Sequence, residues 1–154
     1  MSGDPGTRKP SLRDRALRLL ARREHTRAEL ARKLSVHSED PGEVERVLDD
    51  LERRGWVSER RVVEQRVHTL RKRYGARRIE RDLRQKGVSD DAVAAALAEL
   101  KGGELAAARE VWRRKFGGRQ PGRPADRARQ VRFLQGRGFD LEVVLRVIKG
   151  GEED

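Results

Sequence analysis

Apolar residues recur along this chain at steps of three and four, broken by glycines and capping side chains, and the pattern itself repeats. Leu83-Arg84-Gln85-Lys86-Gly87-Val88-Ser89 and Leu134-Gln135-Gly136-Arg137-Gly138-Phe139-Asp140 share one design, in which Leu and a base precede Gly, an apolar residue and a capping side chain. Ten positions after each leading leucine an apolar stripe opens, Val93, Ala96, Leu97 and Leu100 in one copy and Val144, Val147 and Ile148 in the other. A more divergent copy starts at Leu30 and reaches Val44, Val47, Leu48 and Leu51 after fourteen positions, so the connection around His37 to Asp40 holds four extra residues. Three copies roughly fifty residues apart predict stacked helical units.

The local signals predict nine helices in three triplets, an all-α fold of three tandem three-helix repeats over 11–57, 58–103 and 104–149. Ser11 starts the first helix, Thr26-Arg27-Ala28-Glu29 is a capping box, and Asp40-Pro41 caps a third helix that stops at Gly55. The second triplet opens at Ser58 and runs to Tyr74 with Gly75 as its stop, followed by helices over 76–86 and from Ser89 to about Lys101. The third holds helices over 104–116, 126–135 and 140–149, with a Gly/Pro loop at 117–124. Trp112 and Phe116 are spaced as core residues, and Trp56, just past Gly55, is expected to plug the base of its bundle. Residues 1–10 read as a disordered tail and 150–154 as an acidic one.

Composition sharpens this outline. With 41% charged, 35% hydrophobic and 4% aromatic residues and a mean hydropathy of -0.90, the chain suits thin apolar seams between salt-bridged helices better than one thick core. Without cysteine, disulfides and thiolate metal sites are excluded. No apolar run is long enough for a bilayer span or a signal-peptide core, which reads as a cytoplasmic chain with no membrane partner.

The net charge of +11 calls for an anionic partner. It is unevenly spread. Residues 60–86 hold eleven bases against three acids and 109–137 ten against two, whereas 37–54 hold seven acids and three bases. Two basic runs at equivalent repeat positions predict one continuous binding surface. The sharpest segment is Arg71-Lys72-Arg73-Tyr74-Gly75-Ala76-Arg77-Arg78-Ile79. Its glycine turn would place free helix amides beside bases and an aromatic ring, a seat for phosphate or carboxylate; the competing reading makes Tyr74 core and Gly75 only a helix stop. His25, His37 and His68 lack metal-ligand spacing, and no phosphate loop or catalytic constellation is present, so no enzyme and no cofactor are expected.

The chain resembles the RecX family of bacterial RecA regulators. The resemblance rests on Arg27-Ala28-Glu29-Leu30-Ala31-Arg32-Lys33-Leu34 with Val47-Leu48-Asp49-Asp50-Leu51, on Tyr74-Gly75-Ala76-Arg77-Arg78-Ile79 with Asp82-Leu83-Arg84-Gln85-Lys86-Gly87, and on Phe133-Leu134-Gln135-Gly136-Arg137-Gly138-Phe139. It implies an elongated, curved array that binds the RecA filament on single-stranded DNA and restrains filament growth, ATP hydrolysis, strand exchange and LexA cleavage. It also implies a monomer with weak direct DNA contact. By position, the contact residues it implies are Arg71, Lys72, Arg73, Tyr74, Arg77, Arg78 and Arg81 in the second repeat, and Arg113, Arg114, Lys115, Arg129 and Arg132 in the third. Two departures stand out: Val62 where such proteins usually carry an aromatic residue, and the loop at 117–124.

A winged helix-turn-helix is the main alternative, since Glu29 to Leu34, Val44 to Arg54 and Gly55-Trp56-Val57 also fit that order. Its recognition helix would carry Glu43, Glu45, Asp49, Asp50 and Glu52, which phosphates repel, and its wing strands would have to form after Val57. General nucleic-acid binding and a helical scaffold are further alternatives.

Overall fold

A computed structural model describes residues 9–150, so most of both expected tails lies outside the described residues. Among the described residues there are nine helices and no strand: α1 Leu12–Arg22, α2 Arg27–Ser35, α3 Pro41–Arg53, α4 Glu59–Leu70, α5 Ala76–Gln85, α6 Asp90–Lys101, α7 Glu104–Phe116, α8 Pro124–Gly136 and α9 Leu141–Gly150. The all-α repeat holds, and the residues after Val57 that a wing would need as strands are the helix α4. None of these helices is long and apolar enough to cross a membrane.

The chain separates into two compact units, residues 9–62 and 63–150. In the first, Leu12, Ala16, Leu30, Leu34, Val44, Leu48, Leu51 and Val57 form the core of α1–α3. The capping box forms as expected: Thr26 Oγ1 accepts from the Glu29 amide at 3.0 Å and Glu29 Oε1 from the Thr26 amide at 3.1 Å. Glu29 is buried, and burial alone would raise its pKa, but the Arg23 guanidinium at 2.7 Å and the Thr26 amide hold it below the ordinary value.

In the second unit, Ala108, Val111, Trp112, Leu134, Phe139, Val144, Val147 and Ile148 form the core of α7–α9. Trp112 is fully buried and its Nε1 donates to Gln130 Oε1 at 2.9 Å. Gln130 Nε2 in turn donates to the Arg119 carbonyl at 3.1 Å, which pins the Gly/Pro loop to the core.

Four expectations need correction. Helix α4 ends at Leu70, not Tyr74, because the Arg73 and Tyr74 amides both turn back onto the Leu70 carbonyl. Gly75 is extended, with φ -88° and ψ 177°, and is the N-cap of α5 rather than the stop of α4. Helix α8 begins at Pro124, two residues early, since proline fits the first helical position where no amide is needed. Trp56 does not plug its bundle: it stays 41% exposed.

Candidate partner interface

The repeated Leu–Gly turn builds the site. In α5 the chain leaves through Gly87 at φ 81°, with the Val88 amide on the Leu83 carbonyl; in α8 it leaves through Gly138 at φ 95°, with the Phe139 amide on the Leu134 carbonyl. Left-handed glycine makes both exits abrupt. The second of them packs against the start of α5. The Gly75 amide donates to the Arg137 carbonyl at 2.7 Å and the Arg77 amide to the Gly138 carbonyl at 3.1 Å. A Cβ on Gly75 would lie 2.5 Å from the Gly138 oxygen, so only glycine admits this approach.

The anion seat expected at the N-terminus of α5 exists, but this chain fills it. Glu104, the first residue of α7, accepts from the Ala76 amide at 3.0 Å through Oε1 and from Arg71 Nη1 at 2.7 Å through Oε2. Arg71 also donates to the Leu100 carbonyl at 2.9 Å. Both side chains are largely enclosed. A negative charge at a helix N-terminus is favourable, and one carboxylate here joins the ends of α4, α5 and α7.

Arg71 is thus spent internally, and other bases of the run are as well. Arg66 grips Asp82 through two bonds, at 2.9 and 3.0 Å, with Lys86 on the same carboxylate at 3.2 Å. Burial would raise the Asp82 pKa, but these two cations hold it below the ordinary carboxylate value. Arg77 pairs with Asp140, and Arg129 lies 3.9 Å from Asp126.

Several of the bases that remain converge on one place. Lys72 and Arg73 after α4, Arg114 and Lys115 on α7, and Arg137 at the end of α8 line a cavity of about 250 Å³ with Val111 and Phe133. Among the described residues, five cations and no carboxylate line it, and only Arg114 has a carboxylate close by, Glu110 at 3.5 Å. Its aromatic side is ordered by the same bases. The Arg137 guanidinium lies 5.3 Å from the Tyr74 ring and 5.0 Å from Phe133, Arg78 lies 5.0 Å from Tyr74, and Lys115 5.3 Å from Phe133. Phe116 meets Phe133 edge-on at 5.5 Å.

Of the twelve residues singled out in the sequence, this cluster gathers Lys72, Arg73, Tyr74, Arg78, Arg114 and Lys115. Arg81 lies with Arg77 along a separate shallow face of α5, beside Glu80 and Arg84. Arg113, Arg129 and Arg132 are exposed on α7 and α8 without lining the cavity. Phe133 and Arg137 also line it, beyond the residues singled out in the sequence. The signal for Arg137 was the repeat itself, because it occupies the motif's basic position, where its counterpart Lys86 is neutralised by Asp82.

Three family models match the chain in order: RecX, first three-helix domain, over residues 13–51; second three-helix domain, over 58–97; third three-helix domain, over 103–148. The regulatory protein RecX of Leptothrix cholodnii is 50% identical over 139 residues, covering 90% of this chain and 88% of its own. That of Ralstonia nicotianae is 47% identical over 142 residues, covering 92% and 89%. The crystal structure of RecX from Lactobacillus salivarius shares the fold at 18% identity, with a TM-score of 0.72 over 90% of this chain and 93% of that one. By its three repeats, their order and this identity along most of its length, the chain belongs to the RecX family.

Proposed function

We propose that this protein is a non-enzymatic regulator that binds the RecA filament on single-stranded DNA as a monomer and restrains filament growth, ATP hydrolysis, strand exchange and LexA cleavage. The observation that carries the reading is the cavity walled by Lys72, Arg73, Arg114, Lys115 and Arg137, whose charge no lining carboxylate among the described residues offsets. Guanidinium forks and ammonium groups around aromatic rings suit an anionic partner, whether a phosphate backbone or acidic protein surface. The relatives named regulatory protein RecX support the regulatory role, and restraint as its direction is what the family resemblance implies.

The test is the single-stranded-DNA-dependent ATPase rate of RecA with substoichiometric protein. The wild type should lower the rate at ratios too small to coat the DNA. The triple variant Lys72→Glu, Arg73→Glu, Lys115→Glu should lose that effect while keeping its helical circular dichroism, because all three side chains are exposed. An inactive wild type would remove the regulatory reading. A variant as active as the wild type would remove only this surface.

A further inference from the structure

We propose that Trp56 and the arginines around it form a second, separate contact surface, on the first unit, that takes a short acidic peptide segment carrying an apolar side chain. Three turns in this protein share one bonding pattern: Trp56 onto the Leu51 carbonyl past Gly55, Val88 onto Leu83 past Gly87, and Phe139 onto Leu134 past Gly138. Such a turn normally folds its apolar residue back against the helix. Val88 and Phe139 obey, at 6% and 1% exposure, whereas Trp56 is left 41% exposed.

The exposed ring is nonetheless held. Arg13 lies 5.4 Å and Arg54 5.5 Å from its centre. Asp50 fixes both guanidinium groups, accepting from Arg13 at 2.8 Å and Arg54 at 3.0 Å, with Arg53 at 3.7 Å. Arg61 reaches the Gly55 carbonyl next to the ring at 2.6 Å. Tryptophan and arginine dominate binding hot spots, and side chains already fixed in place lose little freedom on binding. Three guanidiniums share one carboxylate here, so the patch keeps a positive surplus with donors suited to carboxylates.

Charge on the rest of α3 selects the kind of partner. Its other flank carries Glu45, Asp49 and Glu52, gathered on Arg27 at 2.5, 2.7 and 3.4 Å. A nucleic-acid strand tracks a basic groove over several nucleotides and would run against these acids. A few carboxylates beside one apolar side chain need only the width of the Trp56 patch.

The probe is a fluorescein-labelled ten-residue peptide of Asp and Glu with one central Phe, followed by anisotropy. Saturable binding is expected, weakened at least tenfold by Trp56→Ala, by Arg13→Ala with Arg54→Ala, and by replacing the peptide Phe with Ser. In the Lys72→Glu, Arg73→Glu background the Trp56→Ala loss should persist, which keeps this surface distinct from the one proposed above. Circular dichroism checks each fold, and the exposed Trp56→Ala carries the test if the double arginine variant unfolds. Absence of saturable binding, or Trp56→Ala binding at wild-type strength, overturns the proposal. So does an oligo-dT strand that binds more tightly than the peptide and is lost with the same substitutions.

Discussion

The second and third repeats share one sequence design and close it with different chemistry. Counted from the caps Ser58 and Gly103, Arg66 and Val67 on α4 correspond to Val111 and Trp112 on α7; counted from Leu83 and Leu134, Ile79 and Asp82 on α5 and its C-cap Lys86 correspond to Gln130 and Phe133 on α8 and its C-cap Arg137. In the third repeat a buried tryptophan bonded to Gln130 fills the bundle. In the second, valine stands where tryptophan would, and a cleft of about 600 Å³ opens between α4 and α6, lined by Val63, Val67, Ala96 and Leu100 among others. The ion pair Arg66–Asp82 occupies the positions that Val111 and Phe133 hold in the third repeat. A repeat can therefore keep its helices and turns while replacing an apolar seal by an ionic one. The open bundle leans on its neighbour through Glu104 and the Gly75–Gly138 approach, and Phe133, which packs on the third core and edge-on against Phe116, also presents its ring to the basic cavity.

Truncation separates the two most sharply. Trp112→Ala should cost about 3–5 kcal/mol, since it removes a large buried ring and leaves Gln130 without its donor. Val67→Ala, at a half-exposed cleft wall, should cost under about 1 kcal/mol. Urea unfolding of both variants measures the gap, and equal losses would break the contrast.

The borrowed support is tested next. Glu104→Ala leaves Arg71 and the α5 amide without their partner and should cost about 3 kcal/mol. Gly75→Ala drives a Cβ into backbone at 2.5 Å and should cost about 2 kcal/mol. Native-state hydrogen exchange should show α4–α6 losing protection more than α7–α9 in both. Uniform loss across the unit would mean the repeats are equally interdependent.

Helix number, caps and the shared glycine turn were legible because each depends on a few neighbouring residues. The capping box at Thr26 and the left-handed Gly138 follow from local backbone chemistry alone. The roles of Gly75, Arg71 and Trp56 were not legible, since each depends on a distant partner: the Arg137 carbonyl, Glu104, and Asp50 with Arg13. The charge run was visible as a run. Which bases stayed available depended on where Asp82, Glu104 and Asp140 landed in space, and no spacing rule encodes that.

The smallest effect is the most specific to the ionic seal. Unfolded aspartate titrates at about 3.9, and Arg66 and Lys86 hold folded Asp82 lower against the opposing pull of burial. A lowered folded pKa means that the stabilisation is complete above the unfolded value and drains away as pH falls through the folded one. Acid should therefore loosen the second repeat through this carboxylate, whereas the Trp112–Gln130 bond of the third does not titrate. Between pH 6 and 2, protection of α5 amides should fall more steeply in the wild type than in Asp82→Asn, and α8 should show no such difference. Matching slopes in α5 would mean that Arg66 and Lys86 pack beside Asp82 without contributing through its charge, and the second bundle would then be sealed by its apolar residues alone.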